Sequence, residues 1–294
     1  MPCKFRHSLL LLLLLVACGP DREPEKPVSP WPGYTPGQTL GALSSALEQD
    51  DLYGFFKGLL PPEKLLRWRA RWQGWQQQTV PPETAQAYRE RVARWQSPDA
   101  EATLVEELTP QLRKFQQQLP RLLDVLHASI VAGLSQGNDP LAASAEPLIR
   151  IIDRLFLWAR NTDFANPVLL RQSVHEIGAM LRDVNLPTLA DVKALSFEQA
   201  LDRSSRVWLS VLRILSIYNI DVKEFLSSMQ VSHEEVHGAQ ARVMVRLDIF
   251  GVRHSLDVGL GQRGQRWYLD SVLQGFVPSP SLDERMGEKH RREP

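Results

Sequence analysis

The chain predicts an α+β fold: a mostly helical body over residues 39–229, then a C-terminal antiparallel β-meander of three to four strands over 230–276. Three observations predict it. Apolar residues recur at three- and four-residue spacing from Thr39 to about Met229. The period then drops to two, and short Gly-containing connections join the alternating segments. Composition agrees, at 43% hydrophobic and 23% charged, the range of ordinary globular proteins. With 34 basic against 34 acidic side chains, the chain lacks the excess of cations that nucleic-acid phosphates require, so no nucleic-acid partner is expected.

In chain order, Leu40, Leu43 and Leu47 lead, and Leu52, Phe55, Phe56 and Leu59 follow an Asp50-Asp51 break. Leu65, Trp68, Trp72 and Trp75 share one helical face, as do Tyr88, Val92 and Trp95. Ser97-Pro98 predicts another helix start, Pro fitting a first turn. The stripe Leu112, Phe115, Leu119, Leu122, Leu126 and Ile130 passes Pro120, where a kink or break is expected. Gly137-Asn138-Asp139-Pro140 reads as a turn, with helices around Leu148–Trp158 and Val168–Leu181. Ser196 and Gln199 have capping-box spacing ahead of Ala200, Val207, Leu212 and Leu215. Beyond Met229, Ala241, Val243, Val245, Leu247 and Ile249 alternate with Arg242, Arg246 and Asp248. Val252, His254, Leu256, Val258 and Leu260 alternate likewise, then Gly261–Gly264 reads as a turn and Arg266–Asp270 as a last strand. Short connections imply antiparallel neighbours with one buried face.

Outside this globular region, 39–276, the ends read differently. Lys4 and Arg6 precede an apolar run, Leu9 to Val16, then Ala17-Cys18-Gly19. A membrane span needs ~20 apolar residues, so the shorter run reads as the core of a signal peptide over residues 1–17. Leu15-Val16-Ala17-Cys18 resembles the lipobox of bacterial lipoproteins. The resemblance implies cleavage before Cys18, a diacylglycerol on its sulfur, an acylated amine, and attachment to a membrane through that lipid. One acyl chain gives only marginal binding, at roughly 0.8 kcal/mol per buried CH₂, whereas two or three hold firmly. Gly19, where Asp would signal inner-membrane retention, implies an outer-membrane anchor with the body facing the periplasm; a Gram-positive cell surface is the alternative. Cleavage removes Cys3, so the mature body would have no thiol chemistry and no disulfide. Residues 18–38 carry six prolines and read as a semi-rigid tether. The tail, 277–294, has no apolar periodicity and reads as disordered.

Two separated segments carry a further resemblance. Leu43–Asp51 with Phe55 at one end, and Gly238–Val243 with Gly264–Asp270 at the other, resemble the nuclear-transport-factor-two-like cone fold. The chain would depart from that family by a helical insertion of more than 100 residues. The fold hosts enzymes, ligand binders and interaction modules, so it implies no single activity.

His233-Glu234-Glu235-Val236-His237 matches H-E-x-x-H, whose zinc chemistry needs a helix that sets both His on one face and Glu234 as general base. Ser232 and Glu235 leave a short helix possible; a strand would put the His ~13 Å apart, too far for one zinc. No third ligand follows. Trp68, Trp72 and Trp75 among Arg67, Arg69 and Arg71 read as a core stripe with Arg outward, or as a basic face for membrane or glycan. His127, beside Leu123 and Ile130, reads as a core hydrogen-bonding residue. The adjacent acids Asp50-Asp51, Glu106-Glu107 and Glu234-Glu235 point in different directions and do not read as acid/base pairs. No nucleophile elbow, phosphate loop or dinucleotide fingerprint occurs. The expectation is a non-enzymatic, cofactor-free envelope protein that binds a partner or supports assembly. The alternatives are a small-ligand or lipid binder with a cavity between sheet and helices, and a zinc hydrolase at His233 and His237.

Overall fold

The computed structural model describes Trp31, residues 33–135 and residues 145–274. The expected signal peptide, Cys18, most of the tether, the Gly137–Pro140 turn and the tail lie outside these. The fold is α+β: helices α1 to α10, a four-stranded sheet, and a short closing helix, α11.

Helix α1 (Pro36–Glu48) starts three residues before the expected Thr39. Thr35 and Gln38 form a reciprocal capping box around Pro36 at its first turn. The tether reading therefore ends too late. Trp31 stacks on Tyr34 at 6.2 Å and lies where a side chain at Gly58 would have to go, and the Gly33 N–H donates to the Gln265 carbonyl. Trp31 and residues 33–38 already belong to the body.

Helices α2 (Leu52–Leu59), α3 (Pro62–Gln77) and α4 (Pro82–Gln96) follow; Asp51 caps the first and prolines open the other two. Helix α5 (Ala100–Ser135) begins two residues beyond Pro98, because Ser97–Asp99 form a separate turn. It runs without a break through Pro110 and Pro120. A proline deletes a helical hydrogen bond, but on either side of Pro120 Leu119 and Leu123 are buried against Phe156 and Ala159, and that packing holds the helix together. Helix α6 (Ala145–Asn161) returns along α5. Helices α7 (Pro167–Val184) and α9 (Phe197–Ile217) form the centre of the helical body. Ser196 and Gln199 make the expected box at the start of α9. A second box, Thr188/Asp191, opens α8 (Leu189–Ala194), which the periodicity did not resolve. Helix α10 (Val222–Ser227) leads into the sheet.

Strands β1 (Gln230–His237), β2 (Gln240–Ile249), β3 (Val252–Arg263) and β4 (Arg266–Leu269) form an antiparallel meander in the order β1-β2-β3-β4. The last turn is narrower than Gly261–Gly264. Strand β3 continues to Arg263, which pairs with Arg266 across Gly264-Gln265, and Asp270 leaves the strand to open α11 (Asp270–Leu273). Phe250-Gly251 turns the β2–β3 hairpin with φ of 51° and 70°, the doubly left-handed geometry suited to two-residue hairpins.

The expected alternation holds. Ala241, Val243 and Val245 pair with Leu260, Val258 and Leu256. This face closes on Leu40 of α1, with Trp267 and Met229 beside it. The two ends of the described chain thus fold together, and the helices from α2 to α10 lie between them in sequence. Because Leu260 is fully enclosed, Leu260→Ala should cost about 2–5 kcal/mol in urea unfolding. A loss under ~1 kcal/mol would mean that the α1–sheet contact is loose.

Candidate functional site

Residues 233–237 lie on β1, an edge strand, which decides between helix and strand. The register pairs His233 with Met244, Glu235 with Arg242 and His237 with Gln240, all on the outer face. Glu234 pairs with Val243 and points to the core side. That is the reverse of what zinc hydrolysis needs, since the general base and the two His stand on opposite faces. The two His are also four strand positions apart, ~13 Å. Glu234 instead orients α1. Its carboxylate accepts from the Gly37 N–H at 2.9 Å and the Thr35 hydroxyl at 3.2 Å. A negative group at the N-terminus of α1 satisfies an otherwise unpaired donor and complements the helix dipole. Gly37 is needed for this approach, because a Cβ there would lie 2.6 Å from the Glu234 oxygen. His233 bonds Glu235 at 3.0 Å, which holds that carboxyl below the usual range. Among the described residues, no group of three or more His, Cys, Asp or Glu is placed to hold a metal.

The tryptophan stripe is core. Trp68 and Trp72 pack on Leu60, Leu65, Phe197 and Leu201. The Trp72 indole N–H donates to the Leu195 carbonyl at 2.9 Å. Arg69 pairs with Glu198, and Arg67 is exposed. His127 departs from its expected core role. It is half exposed and bonds Asp153 of α6 at 2.8 Å, because its position faces the neighbouring helix at the rim of the contact. The neighbouring acids diverge: Asp50 bonds Lys223 at 2.7 Å, Asp51 caps α2 through the Gly54 N–H, and Glu107 pairs with Arg94 while Glu106 is exposed.

Sequence reasoning missed a hollow of about 690 Å³ where the end of α9, α10 and the β2–β3 turn meet. Asp221, Glu224, Phe225, Asp248, Phe250 and Arg253 line it. Asp221 is occupied as the cap of α10, and Asp248 is held in a two-pronged pair by Arg253 at 3.0 Å on each prong. That pair keeps Asp248 below the usual carboxylate range. Phe225 and Phe250 form an aromatic wall, with ring centres 5.4 Å apart. The signals were the left-handed Phe250-Gly251 pair and the Asn219-Ile220-Asp221 break between helices, but nothing in sequence brings them together.

Two further titratable groups lie on β3 and α11, one buried and one partly buried. His254, 5% exposed, sits on the inner face of β3 with no partner for Nε2. Burial lowers its pKa, as do the Arg150 and Arg154 cations of α6, while Asp248 opposes them weakly. Asp270 lies over Gly259 of β3, and burial raises its carboxyl.

No family model, no curated protein and no solved structure matches this chain.

Glu234→Ala should cost about 1 kcal/mol of stability, as removal of a helix N-terminal acceptor does. A chelator should leave the melting temperature unmoved, and a large chelator-dependent drop would restore a metal role for β1. Folded His254 holds its proton less tightly than the usual value near 6.5, so the unfolded chain binds more protons below that pH. Stability should fall as pH drops through about 6.5 and level off below the lowered folded value. His254→Phe should flatten this slope in pH-dependent unfolding; an unchanged slope would clear His254.

Proposed function

We propose that this chain is a lipid-anchored envelope protein whose folded body works by binding or assembly and not by catalysis. On this reading Cys18 carries the lipid, and the body faces the periplasm from the outer membrane or, in a Gram-positive cell, the exterior. The observation that carries it is the order Lys4 and Arg6, apolar run, then Leu15-Val16-Ala17-Cys18-Gly19. The commitment of Glu234 to the α1 terminus supports the non-catalytic half, because the one recognisable catalytic motif is spent on structure. The β1 edge supports binding: it is outermost in the sheet, and Val231 and Val236 are exposed along it. An unpaired strand edge offers backbone donors and acceptors to an added strand. The cone-domain resemblance is kept as a proposal, supported by the packing of α1 on the sheet across the helical segment between them.

A second reading is favoured by the hollow beside α10. Its volume falls within the ~300–1,000 Å³ of small-ligand sites. Three carboxylates against one guanidinium suit a cationic or polar ligand better than a fatty acid.

Full-length protein expressed in bacteria with an alkyne-tagged palmitate should take up label and fractionate with membranes, and Cys18→Ser should abolish both. A wild-type chain that stays unlabelled with residues 1–17 attached removes the anchored reading. Native mass spectrometry of the same preparation reads the second: a polar adduct lost on Glu224→Gln supports it, and a bare mass counts against it.

A further inference from the structure

The middle of α5 carries apolar side chains that no described part of the fold covers. Phe115, Leu122, Val125 and Leu126 are 41%, 46%, 64% and 43% exposed. At 3.6 residues per turn they fall within an arc of roughly 100° and extend ~16 Å along the helix. Leu119 and Leu123 point to α6 and are buried there, so the exposed stripe runs beside that contact.

Charge along this segment is one-sided. From Thr109 to Ser135 the ionisable residues besides His127 are Arg113, Lys114, Arg121 and Asp124. Asp124 is engaged with Arg160 on the α6 side. Lys114 and Arg121 are seven residues apart, exposed, and adjoin the outer edge of the stripe on one flank. Apolar side chains bordered by cations on a helix surface are the pattern of a helix lying in the plane of a lipid interface. Among the described residues no helix is long and apolar enough to cross a membrane, so a bilayer contact of α5 would run along the surface.

We propose that this flank of α5 docks on an anionic lipid surface, with Phe115, Leu122, Val125 and Leu126 in the acyl boundary and Lys114 and Arg121 among the headgroup phosphates. A second copy fits less well. Two-fold pairing through the stripe would bring the Lys114 and Arg121 rows of both copies together, with no free carboxylate on that flank to offset them. A phosphate-bearing bilayer answers both the apolar and the cationic part. This inference goes beyond the anchored reading and does not depend on Cys18.

The test uses the full chain with Cys3→Ser and Cys18→Ser, so that no lipid anchor forms. A nitroxide goes on Val125→Cys, a site exposed enough to leave the core alone, and in a separate sample on Ser255→Cys, exposed on the outer face of β3 with α6 between that strand and α5. With vesicles of phosphatidylglycerol and phosphatidylethanolamine, the label at 125 should gain oxygen collisions and lose collisions with a water-soluble nickel chelate. The label at 255 should stay aqueous. Lys114→Glu with Arg121→Glu should weaken partition onto these vesicles by more than about tenfold, at ~1 kcal/mol per cation near the surface. A label at 125 that stays in water overturns the proposal. So does equal protection on neutral phosphatidylcholine vesicles, or label–label broadening without vesicles, which would mark a second copy.

Discussion

Leu40 lies across Val243 and Leu260, and this contact joins chain segments about 200 residues apart in sequence. Around it, Ser44 donates to the Leu226 carbonyl and Glu234 meets the first turn of α1. Helices α2 to α10 are in effect one long loop closed by this seam. Loop-closure entropy grows only with the logarithm of length, so a long inserted segment costs little more than a short one once the seam is made. Both cysteines precede residue 19, so no disulfide can reinforce it within the described fold. Apolar burial must do so, with the α1 terminus oriented by one carboxylate.

The helical body is fixed by directional contacts at a few points. Trp72 reaches the Leu195 carbonyl between α8 and α9, and Trp158 of α6 reaches the Tyr218 carbonyl at the end of α9 at 2.7 Å. Each buried indole N–H has one acceptor in position, so these rings set register as well as filling space. Ion pairs such as Arg69–Glu198 and Arg206–Asp183 are half exposed and stabilise little. They tune the surface. His254 differs from these: a buried polar ring at the α6–β3 contact, whose surroundings disfavour its charged form.

Period was the legible part. The switch from three-four spacing to alternation placed the sheet closely, with α10 ending at Ser227 and β1 opening at Gln230, although clear alternation starts only at Ala241 in β2. The Ser196–Gln199 box was legible because capping is local chemistry. The Thr35–Gln38 box has the same spacing but stands among prolines, and their composition hid it. At Pro120 the local rule favoured a break and tertiary packing overrode it. The H-E-x-x-H residues illustrate the limit more sharply. A motif is chemistry only in its conformation, and neither the strand nor the reach of Glu234 to Gly37 is visible without the fold. The hollow beside α10 and the stripe on α5 need neighbours to be seen at all: an apolar helix face reads the same whether α6 covers it or nothing does.

Trp31 bears on how the α5 stripe and the anchor would combine. Its docking beside Gly58 leaves only Gly19 to Pro30 between Cys18 and the body. A fully extended chain spans at most ~3.6 Å per residue, so the body could stand no more than about 45 Å from a lipid on Cys18. On the anchored reading the bilayer would be at high effective concentration within that radius, and a surface contact that forms without the anchor would become more populated. Four partly exposed apolar side chains and two cations would make such a contact, reversible and able to form on vesicles without the anchor. The tether would then raise the fraction of time α5 spends on lipid, and α5 would set which face of the body remains for a partner. With α5 on the bilayer, α6 lies between it and β3, and the partner would approach the β1 edge on the other side of the sheet order.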